Sequence, residues 1–222
     1  MSNYQQHGLQ NKVMIAGAVL MIIASVIFIV YRWQPHPSGN NRALNVGLGQ
    51  AVAVETAKVF HEHGRVVVIR APEHAVDNMP ENDMWRAFCA EMERYPSILV
   101  VTTVVVNSEP PMEYGLTRTR LDSILEQQPE IDGVVSLYGI AEWDPRHPFE
   151  LPRADLKIVA VQRVPYEIEP YFVKGSLAAA IVPRSMPNPD RAKPQTPSEW
   201  FERYYQVYTV ENYRSRVGEA AQ

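Results

Sequence analysis

Two runs rich in β-branched residues, Val66-Val67-Val68-Ile69 between Arg65 and Arg70 and the segment 98–106, constrain this chain more than any other feature. A strand that alternates apolar and polar residues can leave one face in water, whereas a run that is β-branched throughout is the mark of a strand buried on both faces. Each run follows a stretch of helical period. The first, 47–63, carries Leu48, Ala51, Val54, Ala57 and Phe60 and leads to Gly64, placed for a left-handed cap. The second, 84–95, sets Trp85, Phe88, Cys89 and Met92 on one side behind Asp83 as a cap. The alternation continues with a helix over 116–128 on Leu116, Leu121, Ile124 and Leu125, then strands at 134–137 and 157–161. Strands alternating with helices of this length imply right-handed crossovers and a parallel sheet between helical layers. The expected fold is a three-layer α/β domain, with the long strand 98–106 at a central position.

The later part of the chain departs from that rhythm. Pro145, Pro148 and Pro152 argue against a full crossover helix between the strands at 134–137 and 157–161. A small-residue strand at 177–182 precedes a proline-rich loop over 183–197. Ser198 then opens an aromatic helix with Trp200, Phe201, Tyr204 and Tyr205, and 208–210 reads as a last short strand. Residues 214–222 read as a flexible tail.

Ahead of the domain, residues 13–31 read VMIAGAVLMIIASVIFIVY, with no charge and no proline. At about 1.5 Å per residue such a helix spans close to 30 Å of hydrocarbon, so the run is expected to be a single transmembrane helix in contact with lipid. It is long for a cleaved signal core, and its exit, Tyr31-Arg32-Trp33, is an aromatic and cationic belt where a small-residue cleavage site would have to stand. The expected organisation is a flank at 1–12, the span at 13–31, a linker at 32–44, the α/β domain at 45–213 and the tail at 214–222. The short amino-terminal flank favours a cytoplasmic start, with the domain in the periplasm of a bacterial envelope, anchored in the inner membrane; Lys12 faces Arg32 and Arg42 in a nearly balanced charge count.

Composition excludes several functions. The net charge of −4 is dispersed, with no basic stripe to follow a phosphate backbone, so nucleic acid is not an expected partner. One cysteine, Cys89, forbids an internal disulfide, and its helical spacing among apolar residues reads as a small buried hydrophobe rather than a nucleophile. His61 and His63 lack the i, i+4 spacing and the further ligands that close a metal shell. Glu142, Asp144 and His147 could be drawn as an acid, a base and an orienting group, but prolines among them make this a loop of ordinary charges. No glycine-rich phosphate loop, Gly-x-Ser-x-Gly elbow or His-Glu-x-x-His is present, so neither a cofactor nor catalysis is expected.

The order of motifs resembles the second lobe of the type 1 periplasmic binding proteins, the sugar-binding and repressor-related family of two hinged α/β lobes. The residues that carry the resemblance are Gly49-Gln50-Ala51, the entry strand at Gly64, Pro129-Glu130-Ile131-Asp132-Gly133-Val134-Val135, Ile158-Val159-Ala160-Val161-Gln162, Gly175 with Ala178-Ala179-Ala180-Ile181-Val182, and Tyr208-Thr209-Val210-Glu211-Asn212. The resemblance implies a single such lobe, since the family's first lobe should stand before Asn45. It also implies a ligand edge that is altered here. Where the family usually shows an Asn-Asp or Gln-Asp pair after the third strand, this sequence has Tyr138-Gly139, and where it shows Gly-x-Asp, this one has Ala160-Val161-Gln162.

In an open parallel sheet, ligands are held just past the carboxyl ends of the strands. That places the candidate binding residues at Tyr138, Glu142, Trp143, Asp144 and Gln162, with the aromatic faces able to stack on a sugar ring or to anchor a protein. The sequence therefore supports a non-catalytic, membrane-anchored domain that acts on a protein partner or as an oligomer, an accessory subunit of a membrane complex being one such role. The alternative is binding or sensing of a sugar-like solute.

Overall fold

The structure, a computed structural model, describes Met21, Ser25 and residues 41–72, 80–106, 116–140, 149–162, 168–184 and 194–213. The expected span, 13–31, lies outside the described residues apart from Met21 and Ser25, as does the tail. Among the described residues no helix is long and apolar enough to cross a membrane. The elements below all belong to the unit Gly39–Gln222.

Helix α1, Arg42–Val59, begins five residues ahead of the expected Gly47 because Asn41 caps it, its side-chain oxygen accepting from the Leu44 N–H at 3.2 Å. It buries Leu44, Leu48, Val52, Ala53 and Ala57. Gly47 and Gly49 lie where a Cβ would stand 2.2 Å from the Pro197 and Met84 carbonyl oxygens, so two neighbouring helices close on α1 at backbone distance. The left-handed cap is not Gly64. His61 and Glu62 take it, with φ of 51° and 62°, and the N–H groups of Glu62 and His61 donate back to the Ala57 and Lys58 carbonyls at 2.8 and 3.2 Å. Gly64 serves one step later, opening β1 (Gly64–Arg70) with φ 147°.

Helix α2, Pro80–Met92, starts ahead of the expected Met84 at a proline, which fits a first helical turn, with Glu81 and Asp83 favourably placed near its positive end. Strand β2 covers Ile98–Val105. Thr117 caps α3, Arg118–Gln127, by accepting from the Arg120 N–H at 3.2 Å. Then come β3 (Gly133–Ser136), β4 (Lys157–Val161), the short α4 (Glu169–Val173) and β5 (Ala179–Pro183). Helix α5, Pro197–Tyr204, is closed by a reciprocal capping box between Thr196 and Glu199, so Thr196 rather than Ser198 starts it. Strand β6, Tyr205–Thr209, follows with no intervening residue.

The six strands form one sheet in the order β2-β1-β3-β4-β5-β6. All pairings are parallel except the last. Tyr204 sits beside the carboxyl end of β5, its carbonyl accepting from the Arg184 N–H at 2.8 Å, so β6 starts at that end and runs back antiparallel. Alternate strand residues feed two cores. Val67, Ile69, Val134, Ile158 and Ala180 pack with Leu121 and Ile124 of α3 and with Tyr171 and Phe172 of α4. Val66, Val68, Val135, Val159 and Ile181 pack with α1, Met84 and Phe88 of α2, and the partly buried Trp200 and Phe201 of α5. Two helical layers thus enclose a predominantly parallel sheet.

The expected central position of 98–106 is wrong. β2 is an edge strand, and Leu99 and Val105 are exposed. β-branching marks a chain as extended, but its place in the sheet is decided by which strands bury better, and β1, β3 and β4 hold the centre with nearly continuous burial.

Candidate functional site at the carboxyl edge of the sheet

The chain leaves β1 for β2 on one side and returns to β3 on the other, so the strand order switches direction between β1 and β3. Crevices outside such a switch point are where open α/β sheets hold ligands. The loop after β3 stands there.

This loop is built by its own neighbours. The buried Ser136 hydroxyl donates to the Gly139 carbonyl, three residues on. The same carbonyl accepts from the Leu116 N–H at 2.9 Å, and Leu116 and Ile140 form an isolated parallel bridge. Gly139 has φ 93°, and a Cβ there would stand 3.0 Å from the Gln162 Oε1, so both backbone conformation and space call for glycine. Leu137 and Ile140 turn into the core, and Tyr138, half-buried, packs against it.

Gln162 directly follows β4 and is 3 % exposed. Its Oε1 accepts from the Ile140 N–H at 3.1 Å, while its Nε2 lies 3.5 Å from the Ile140 carbonyl. Both ends of the amide thus face the main chain of one residue. The structure brings Tyr138 and Gln162 to the same loop, and it gives Gln162 the work of holding that loop. Glu142, Trp143 and Asp144 lie outside the described residues.

Sequence reasoning missed Ser136 altogether. A serine closing a short apolar strand, three residues ahead of a glycine, is the signal that could have found it, because hydroxyls commonly bond nearby backbone. It also missed the opposite edge of the sheet, where several charged contacts gather. There Asp132 accepts from the Arg65 N–H at 2.6 Å, and the Arg65 guanidinium meets Glu130 at 2.6 Å. Arg153 donates to the Pro129 carbonyl at 2.6 Å and also to the Ile131 carbonyl. Lys157 donates to the Val59 carbonyl at 2.8 Å and sits over the Phe60 ring. The motif from Pro129 to Gly133 is therefore a structural clasp.

A groove of about 480 Å³ also lies on the amino-edge side, lined by Val54, Ala57, Lys58, His61, Glu62 and Tyr95. It is open, and Lys58 is drawn to Glu55 at 2.7 Å. His63 Nδ1 lies 2.9 Å from the His61 carbonyl, and among the described residues no cluster of three His, Cys, Asp or Glu could hold a metal ion. Cys89 packs, partly buried, against the core on the α1 and α2 side.

No family model matches the sequence, and no curated protein matches it. Solved structures do match in fold. An ABC transporter solute-binding protein from Burkholderia graminis, in complex with D-arabinose, is 15 % identical with a TM-score of 0.53, over 77 % of this chain and 61 % of its own. A sugar-binding protein of a sugar ABC transporter from Bacillus halodurans is 15 % identical with a TM-score of 0.52, over 77 % of this chain and 63 % of that one. AraP, an arabinose-binding protein from Geobacillus stearothermophilus, gives 15 % and 0.50 over 77 % and 62 %. The chain thus spans about three fifths of the length of each of these structures. At such identities the likeness is one of fold: a parallel-dominated α/β domain like those of the sugar-binding proteins of ABC transporters.

Proposed function

We propose that this chain is a non-catalytic solute-binding domain, anchored to the bacterial inner membrane through residues 13–31 and exposed to the periplasm, that takes a sugar-like ligand at the carboxyl edge of its sheet. The observation that carries this reading is the pairing of a sugar-binding-protein fold with a strand-order switch point that has Tyr138 at its mouth. A half-buried phenol ring can lie against the apolar face of a sugar ring. The ligand cleft is then completed by a second chain.

The test is thermal unfolding of the full chain in mild detergent against a panel of pentoses, hexoses and small polar metabolites. A ligand at 100 times its dissociation constant adds about 2.7 kcal/mol to stability. At least one sugar should raise the melting temperature, and Tyr138→Ala, whose unliganded melt falls because Tyr138 packs against the core, should show no rise with that sugar. A flat response across the panel overturns sugar binding.

A second reading is supported by Gln162 and Ser136, whose polar groups are spent on the backbone of Gly139 and Ile140 rather than offered to a solute. In that case the domain acts through a protein partner, as an accessory subunit of a membrane complex. Purification from native membranes separates the readings: a stoichiometric companion protein together with a flat sugar panel selects the partner.

A further inference from the structure

Ser136 is the last residue of β3 and is fully buried, in a strand that otherwise holds Gly133, Val134 and Val135. Its strand partners are Ile69 on β1 and Ala160 on β4, so it is flanked by apolar residues on both sides. A buried hydroxyl costs free energy unless it is bonded, and this one donates to the Gly139 carbonyl. That oxygen does not need it, because the Leu116 N–H already donates to it at 2.9 Å. A carbonyl has two lone pairs and is satisfied by one partner. Alanine, the residue beside Ser136 on β4, would serve the core as well. The demands of packing and of backbone satisfaction therefore do not account for a serine here.

What the hydroxyl adds is a constraint on the two residues its bond spans, Leu137 and Tyr138. On one side the Leu137 N–H donates to the Ile69 carbonyl at 2.9 Å, and on the other the Ile140 N–H donates to the Gln162 Oε1 at 3.1 Å. Between these fixed points Gly139 has φ 93°, and glycine can leave such a conformation at little cost. The Ser136 hydroxyl holds it there. The face is also the right one. Successive strand residues alternate between faces, so Ser136 shares the α3 and α4 side with Val134, and Tyr138 packs against that same core.

We propose that Ser136 is a positioning residue of the binding site: through Gly139 its hydroxyl fixes the direction in which Tyr138 is presented, and sugar affinity depends on it although it touches no sugar. The inference rests on the reading of Tyr138 as the sugar-facing group. A bond that only stabilises the fold makes affinity follow stability, whereas a bond that positions Tyr138 separates the two.

The test uses the full chain in mild detergent. Ser136→Ala leaves no buried group unsatisfied, so the melting temperature should fall by no more than about 4 °C. The dissociation constant for whichever pentose or hexose raises the melting temperature most should nevertheless rise about tenfold or more. Val134→Ala, two residues earlier on the same face, opens a cavity instead; it should lower the melting temperature further and leave that constant within about twofold of the parent. 3-Fluorotyrosine placed at Tyr138 reports the ring directly, with one fluorine line in the parent and in Val134→Ala, and a shifted or broadened line in Ser136→Ala. Parental sugar affinity in Ser136→Ala overturns the proposal, as does affinity that follows melting temperature across the two variants. A flat sugar panel sinks sugar binding alone, and the fluorine line then decides: unchanged in Ser136→Ala it overturns the positioning role, and displaced it upholds that role.

Discussion

The two ends of the sheet do the same work with different chemistry. At the amino end, ionised side chains hold backbone: Asp132, Arg153 and Lys157 each bond main-chain atoms, and Arg65 meets Glu130 across exposed surface. At the carboxyl end, neutral groups do it from inside, with Gln162 and Ser136 almost fully buried. Water competes with the first kind and not with the second. An exposed ion pair contributes little, whereas a buried N–H stripped of its acceptor costs its full desolvation. The end that looks more heavily fastened is thus the less sensitive to loss of one charge, and the end where a ligand is expected depends on uncharged contacts.

The largest effect should come from shape rather than charge. A Cβ on Gly133 would stand 2.3 Å from both the Phe60 Cζ and the Lys157 carbonyl oxygen, and a β4 backbone atom cannot step aside. Gly133→Ala is expected to cost about 3 kcal/mol, the upper range of overpacking, measured by denaturant unfolding. A loss below about 1 kcal/mol would mean that the amino end yields more easily than its geometry implies.

Next, Gln162→Leu keeps the volume but leaves the Ile140 N–H without its acceptor. It should cost about 2 kcal/mol and speed hydrogen exchange at Ile140 in particular. Unchanged exchange there would show that the amide does not hold the loop.

Smallest is Glu130→Gln, which removes the charge facing Arg65 where the two side chains are 77 % and 42 % exposed. It should shift stability by less than about 0.5 kcal/mol, and less still in high salt. A cost comparable to that of Gln162→Leu would erase the contrast between the two ends.

How much of this was legible in the sequence follows the same physics. The parallel α/β alternation could be read because continuous β-branched runs have few other uses, and β4 falls at 157–161 as expected. The position of β2 could not, since an edge strand and a central one can share a composition. Helix starts slipped where the deciding group was a single cap, by five residues at α1 with Asn41 and by one at α5 with Thr196. At the candidate site, sequence singled out the loop after β3 together with Gln162, and the structure sets the Gln162 amide against that loop's main chain. An amide at a strand's end serves a ligand or a backbone equally well, and its contacts with Ile140 are visible only in the structure. The segment 129–133 carries the family resemblance, while its physical reason, five side chains gathered at the amino edge, Arg65, Glu130, Asp132, Arg153 and Lys157, depends on residues far apart in the chain.

The position of β1 next to both β2 and β3 has a consequence for synthesis. Its contacts with β3 join residues such as Arg65 and Asp132, 67 positions apart. At about 5–20 residues per second, a ribosome takes roughly 3–13 s to cover that distance. During that interval Val67 and Ile69 have been made but their permanent cover has not. A nascent chain of this design offers a sticky, half-finished sheet for several seconds in every round of translation, and a pause before residue 133 lengthens the exposure.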